Sequence, residues 1–444
     1  MTSGSAAASA RPVATVADPF RQVELVEVRL HGSPVGVVAT DPASRLPVFQ
    51  YEPSWVDTGV DLAPLQLPLT GQPRTFPALA RTSFRGLPGL LADSLPGAFA
   101  DTLTGAWLAQ RGVQPGQITA VDRLAYLGSR GMGALTFHPA AGPADGDIAT
   151  AFQLATATDT ARRALTGQLD DHDALRHLLD ISGSAGGARP KVLLATDGHG
   201  NYRSGQLDAP DGWDHWLVKL DVARNVPTGQ PTGLGQLEYA YHLMAVDAGL
   251  KMTPCRLIHD GDLAHFATRR FDRPGPTART HVQSLAAIAH LPPEQAGTHT
   301  YEQHLQTCQQ LGLGPDGTAD GFRQVVFNIA AANRDDHTKN LAFLHDPDRG
   351  WQLAPSFDLT FPYDADGGWP VAHQMAVAGS VHGADRDTLL QLAERAKIPA
   401  ARAADIIDQV VAAISRWPDH ADTAGVHDLH RTQVHQQLAS TAFA

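Results

Sequence analysis

The chain has 444 residues, 43% of them hydrophobic and only 18% charged, which supplies a large core or two to three domains. Its formal net charge is −12 with no long basic run, which argues against direct nucleic-acid binding, since Lys and Arg at phosphates carry most of that affinity. Two cysteines, Cys255 and Cys308, exclude a disulfide framework, and no apolar run approaches the ~18 residues of a membrane span, so a cytoplasmic protein with no membrane partner is expected.

Residues 1–22 lack a basic stretch followed by an apolar one, so they read as a flexible tail rather than a secretory signal. Residues 23–147 read as a β-rich subdomain. VELVEVRLHGSPVGVVAT predicts two strands around a turn at Gly32–Pro34. A helix is expected at about 94–112, then Leu124–Leu127, a GSRGMG turn, the strand ALTF and a Pro/Gly linker at 141–147. Residues 148–272 mix helix and strand. Residues 273–444 read as mostly helical. In FRQVVFNIAAAN, Phe322, Val325, Val326 and Ile329 form one apolar face. A hairpin follows, turning at Pro347–Gly350, and IIDQVVAAISRW (406–417) is the last clear helix, stopped by Pro418. His281, His290, His299 and His304 lie in a Pro/Gly-rich stretch without zinc-ligand spacing and are expected on the surface.

Two polar strings carry chemistry. Asn333–Asn340 reads NRDDHTKN, and Leu353–Thr360 reads LAPSFDLT. Asp335 and Asn340 form D-x-x-x-x-N, and Asp358 follows beyond the hairpin. That is the layout of a phosphoryl-transfer site, in which one carboxylate accepts a hydroxyl proton while an amide and a second carboxylate hold Mg²⁺. Magnesium takes hard oxygen ligands and few protein carboxylates, so base and metal ligands must stand apart. Alone, the motif also fits a solvated helix end.

Ser182–Lys191 reads SGSAGGARPK, between a helical pattern and the strand VLLAT. Its glycines permit close backbone approach to phosphate. The order helix–glycines–strand, without G-K-[ST], excludes a Walker A loop and a Rossmann fingerprint. A kinase-type phosphate-covering loop and a plain connector both remain. Lys219 interrupts the apolar strand HWLVKLDV. A buried lysine needs a partner, and Glu238, on a predicted helix with Leu237, Tyr241, Met244, Ala245 and Ala248 inward, is available. The alternative is a lysine snorkelling from an edge strand. The order Gly loop, strand Lys, helix Glu, D-x-x-x-x-N and later Asp is that of a kinase, with ATP and Mg²⁺ as cofactors.

The wording of these segments resembles the HipA family, toxin kinases of bacterial type II toxin–antitoxin systems. The resemblance spans roughly residues 23–415. It rests on FRGLPGLLADSLPGAFAD, DRLAYLGSRGMGALTF, SAGGARPK, HWLVKLD, EYAYHLMAVDAGL, ATRRFDR, RDDHTKN and LAPSFDLT. It implies an α+β, bilobal protein-kinase-like fold with an N-terminal β-rich subdomain (23–147), an N-lobe-like nucleotide region (148–272) and a helical C-lobe (273–444). It implies a serine/threonine protein kinase whose substrate is a translation protein of the aminoacyl-tRNA synthetase class. It also implies a small helix-turn-helix, HipB-like antitoxin, through which alone DNA is reached. By this resemblance Asp335 is the proton acceptor, and Asn340 and Asp358 hold Mg²⁺. Lys219 grips phosphates with Glu238 as its ion-pair partner, and Gly186, Gly187, Ala188, Arg189, Pro190 and Lys191 cover them. Arg269, Arg270 and Phe271 form the hinge beside adenine, His337 and Lys339 lie in the nucleotide site, and Ser184 is the autophosphorylated serine. Two positions depart from the family pattern: Arg189–Pro190 in a loop that ends A-Q-x-K, and Arg269 where the hinge begins with Glu. Small-molecule kinases and an ATP-binding pseudokinase are the competing readings.

Overall fold

A computed structural model describes residues 22–109, 112–142, 154–165, 178–179, 181–182, 189–222, 232–362, 371–439 and 441. Alternation of inward apolar and outward polar residues builds the first sheet. Strands β1 (Leu25–Leu30), β2 (Ser33–Thr40), β3 (Pro47–Tyr51) and β4 (Leu135–His138) lie in the order β3-β2-β1-β4, all antiparallel. The β1–β2 turn falls on His31 and Gly32, both at positive φ, and Pro34 already belongs to β2. Much of the remaining N-terminal region is not strand. It holds the short helices α1 (Pro53–Val56) and α2 (Gly89–Ala92), then α3 (Ala98–Ala109) and α4 (Ala120–Leu127). The helix expected from residue 94 starts only after Pro96. Leu124–Leu127 closes α4, which begins at a capping box between Thr119 and Asp122.

After α5 (Leu154–Leu165), a five-stranded antiparallel sheet in the order β6-β5-β7-β9-β8 forms the floor of the second region. Its strands are β5 (Lys191–Thr196), β6 (Tyr202–Ser204), β7 (Asp214–Lys219), β8 (Cys255–Asp260) and β9 (Leu263–Arg269). Helix α6 (Leu234–Asp247) packs on it, and the predicted inward residues Leu237, Tyr241, Met244, Ala245 and Ala248 are wholly buried.

The third region is less purely helical than its sequence suggests. Strands β10 (His281–Ser284), β12 (Ala342–Asp346) and β13 (Gly350–Leu353) form an antiparallel sheet, and β11 (His299–Thr300) pairs in parallel with β14 (Met375–Ala376). Around them lie α7 (Leu285–Ala289), α8 (Tyr301–Gln310), α9 (Gly314–Ala330), α10 (Arg386–Arg395), α11 (Ala400–Ser415), α12 (Trp417–Ala424) and α13 (Asp428–Ala439). Phe322, Val325, Val326 and Ile329 of α9 share one core with Ile407, Val410 and Trp417. Pro418 does not end the helical part. It sits in the first turn of α12, where a missing N–H costs nothing, and α13 follows. The histidine expectation is also overturned. His281, His299 and His304 are buried, and His290 Nε2 accepts a hydrogen bond from the Gly89 amide (3.0 Å). Tertiary contacts, not local composition, decide their place; among the described residues no metal-ligand group forms. No helix among the described residues is long and apolar enough to cross a membrane.

Helix α2 meets α7 at Gly89. A Cβ there would lie 2.0 Å from the Ala287 carbonyl oxygen, so backbone touches backbone at the joint between the N-terminal subdomain and the rest. Gly89→Ala is therefore expected to lower unfolding stability by about 1–3 kcal/mol through overpacking. Gly105→Ala, in α3 with open space around it, should be neutral or stabilising by a few tenths to about 1 kcal/mol. Urea denaturation of the two variants checks the contrast.

Candidate functional site

A cleft of about 250 Å³ opens between the five-stranded sheet and the third region. Lys219 ends β7 at its floor, almost fully buried, opposite Lys191 on β5. A buried ammonium survives only when paired. Here its Nζ bonds the carboxylates of both Glu238, on α6, and Asp358, on the segment after β13. Burial presses the Lys219 pKa down, but Asp358 and Glu238 outweigh it and the value lies above that of an ordinary lysine. Burial likewise pushes the Asp358 carboxyl up, and the Lys219 and Lys191 ammoniums more than offset this, holding it well below the usual carboxylate range. Lys191 itself is pushed by burial down to about 8, against the pull of Asp358. Glu238 takes a second cation: Arg189 Nη1 donates to its Oε2 at 3.0 Å. Asp358 stands at φ +56°, the left-handed region that costs a non-glycine residue energy and persists where surrounding structure fixes it.

The loop after α9 carries two adjacent aspartates with opposite fates. Asp336 is buried and accepts three hydrogen bonds, from Tyr301 Oη (2.7 Å), His373 Nδ1 (2.8 Å) and the Gln374 amide (2.7 Å). Asn328 donates to Tyr301 Oη and receives a bond from Asn333 Nδ2, so the start of the loop is tied to α9. Asp335 next to it is half exposed at the cleft, with His337 Nε2 3.9 Å from its carboxylate. Burial raises its pKa, His337 opposes this, and Asp358 adds to the rise. Asn340 Nδ2 donates to the Asp335 carbonyl oxygen at 2.8 Å, which closes the loop.

At the other end the cleft is apolar. Phe271 and Phe357 line it there with ring centroids 5.5 Å apart; Met252 also lines the cleft, and Phe266 stands beside Lys219, its ring centroid 6.0 Å from the ammonium. Arg269 and Arg270 line it too, but their charges are engaged elsewhere. Arg269 donates to Asp214 (2.6 Å). Arg270 is buried and grips Asp272 through Nε (2.9 Å) and Nη2 (2.7 Å). His337, Lys339 and Asn340 complete the wall.

The structure thus brings together Lys191, Lys219, Glu238, Arg269, Arg270, Phe271, Asp335, His337, Lys339, Asn340 and Asp358 around one cavity. Pro190 is buried beside it, its carbonyl accepting from the Leu220 amide. Gly186, Gly187, Ala188 and Ser184 lie outside the described residues. Three residues that sequence reasoning missed matter here: Asp336, Asp272 and Phe357. The D-D doublet was a signal for the first, since two adjacent carboxylates seldom share one environment. As a cation site the donor set fits Mg²⁺. Asp358 supplies a hard carboxylate kept ionised, and the hydrogen bond of Asn340 uses its amide nitrogen and leaves the oxygen for a metal.

Removing Asp336 strands two buried donors, on Tyr301 and His373, and the partly buried Gln374 amide, whereas removing Asp335 strands none. Asp336→Ala is therefore expected to lower unfolding stability by about 3 kcal/mol or more, and Asp335→Ala to leave it within about 0.5 kcal/mol. Equal losses in chemical denaturation would contradict this division of labour.

Comparison with known proteins follows the same lines. The profile of the HipA-like C-terminal domain matches residues 183–417, and that of the HipA N-terminal domain matches residues 26–138. No curated protein matches the chain in sequence. Among solved structures it is similar to a chain from the complex of HipA, HipB and operator DNA of the Shewanella oneidensis MR-1 toxin–antitoxin system. The TM-score is 0.64 at 16% identity, over 94% of this chain and 96% of that one, which shows a shared α+β fold. The Helicobacter pylori proinflammatory kinase CtkA overlaps 52% of this chain and 87% of its own at 13% identity, with a TM-score of 0.34 that carries no argument. The C-terminal profile alone covers more than half of the sequence, and the chain belongs to the HipA family.

Proposed function

We propose that the chain is an ATP- and Mg²⁺-dependent serine/threonine protein kinase of a toxin–antitoxin system. The observation that carries this reading is the buried Lys219 held between Glu238 and Asp358, with Asp335 exposed across the same cleft. Lys219 and Lys191 receive the donor's phosphates at the charged end, and the apolar end takes its base. Asp335 orients an incoming Ser or Thr hydroxyl and accepts its proton as the oxygen attacks the γ-phosphorus, the β–γ bridging P–O bond breaks and ADP leaves. Asp336, locked beneath it, fixes the loop so that Asp335 meets the acceptor at a constant position. Asn340 and Asp358 would hold Mg²⁺, which neutralises phosphate charge when bound. Residues 23–147, 148–272 and 273–444 would act as accessory subdomain, nucleotide lobe and catalytic lobe.

The same reading extends to partners. The Shewanella relative is recorded with HipB and operator DNA. A net charge of −12 makes this chain a poor DNA ligand by itself, so a basic helix-turn-helix antitoxin would supply the phosphate contacts. A translation protein of the aminoacyl-tRNA synthetase class is the proposed substrate.

Asp335→Ala should cut phosphoryl transfer by about 10²–10⁴-fold while ATP binding persists, and Asp358→Ala should weaken binding of Mg·ATP. Radiolabelled transfer and calorimetry test this, and full activity in Asp335→Ala would remove the site assignment.

Autophosphorylation is the proposed brake. Ser182 is buried, which favours Ser184 as the acceptor. A phosphate would add about −1.5 to −2 charge to the loop that the family resemblance assigns to covering ATP's phosphates. Mass spectrometry after incubation with Mg·ATP is expected to find phosphate on Ser184, with ATP affinity lost in the modified protein. Phosphate confined to other residues would count against this brake.

A further inference from the structure

The cleft is not built from the kinase lobes alone. Met132, from the GSRGMG turn of the N-terminal subdomain, lines it. The backbone on both sides of Met132 is pinned by charged groups. Arg273 Nη2 donates to the Gly131 carbonyl (2.9 Å) and Nη1 to the Gly133 carbonyl (2.7 Å), while the Gly133 amide donates to Asp272 Oδ2 (2.8 Å). Arg270, Asp272 and Arg273 are all buried, and both arginines pair with Asp272. A buried trio of ions is costly unless every hydrogen bond is used. Here three of those bonds are used to hold one short turn. Gly133 sits at φ +76°, so the turn needs a glycine there.

The position of this anchor is informative. Asp272 and Arg273 directly follow Phe271, so the pinned turn adjoins the Phe271 wall of the cleft. The cleft is polarised along β7: Lys219 stands at one end with Phe266 paired beside it, and Phe271, next to Arg270 whose amide donates to the His215 carbonyl, stands at the other and takes an apolar, planar group. Methionine sulfur makes favourable contacts with aromatic rings, worth about 0.3–1.5 kcal/mol.

We infer that Met132 is a specificity residue of the nucleotide site, closing the purine pocket of the donor from the N-terminal subdomain opposite Phe271. The inference rests on the kinase reading. It makes the N-terminal subdomain a working part of the nucleotide site.

The experiment uses the full chain with Met132→Ala and Met132→Leu. Calorimetry measures affinity for Mg·ATP and for inorganic tripolyphosphate, and steady-state kinetics measures KM for ATP and kcat. Met132→Ala should weaken ATP binding about 5–10-fold and raise KM for ATP with kcat unchanged. Tripolyphosphate, which has no base, should bind as to wild type, and Met132→Leu should stay close to wild type. Unchanged ATP affinity in Met132→Ala overturns the inference. So does equal weakening of tripolyphosphate, which means a loosened cleft, or a defect confined to the protein substrate's KM, which places Met132 at the acceptor. Wild-type protein that binds no ATP removes the kinase reading itself, whatever the variants show.

Discussion

Everything in the cleft depends on one buried ammonium held by two carboxylates. Lys219 comes from the end of β7, Glu238 from α6 and Asp358 from the segment after β13, so three distant stretches of sequence converge on one charge. Hydrophobic packing alone would tolerate small shifts of helix against sheet, because apolar contact is not directional. An ion triad is directional, and losing one partner leaves an uncompensated buried charge at a cost of several kcal/mol. The register of α6 on the sheet is therefore set twice. Gly235 brings the two backbones close, since a Cβ would lie 1.8 Å from the Ala264 carbonyl oxygen, and Glu238 then meets Lys219 one turn further along.

The same device recurs wherever a loop must be still. Asp336 holds the loop that carries Asp335. Asp272 holds the turn that carries Met132. Asp93 accepts from both the amide (2.6 Å) and the hydroxyl (2.8 Å) of Ser284 and ties the N-terminal subdomain to β10. For Asp336 and Asp272 the carboxylate fixes irregular backbone, which cannot satisfy itself through helix or sheet bonds, and Asp93 does the same where β10 gives way to α7.

These devices explain what the sequence made legible. Regular elements followed from periodicity, as in α6, α9 and the β12–β13 hairpin, because burial there is decided within one turn or one strand. Lys219 and Glu238 could be paired because a lysine in an apolar strand poses a local problem with few solutions. The buried histidines could not be placed in this way. The ring of His265 accepts from the Asp221 amide, and His299 meets the Pro292 carbonyl, partners that no local pattern announces. Pro418 misled for a related reason: the same residue that stops one helix can start the next. The share of the N-terminal subdomain in the cleft was hidden because Gly131–Gly133 reads as an ordinary turn until Asp272 and Arg273 are seen beneath it.

The charge pattern around Lys219 also bears on how a polyanion can enter. Three lysines line the cleft, Lys191, Lys219 and Lys339, and besides Asp272 four carboxylates line it with them, Asp93, Glu238, Asp335 and Asp358. The local sum is close to zero, and the arginines at the apolar end are already paired with Asp214 and Asp272. A triphosphate brought into that neutral space meets no surplus of positive charge from the protein. Lys219 is moreover committed to two carboxylates and can turn to phosphate only if Asp358 finds another cation. On the proposed reading, a divalent ion held by Asp358 and Asn340 would meet both needs, balancing the phosphates and freeing Lys219 from one of its partners. On the proposed kinase reading, nucleotide and metal would enter as a unit, and the Lys219–Asp358 pair would be the contact that their arrival exchanges.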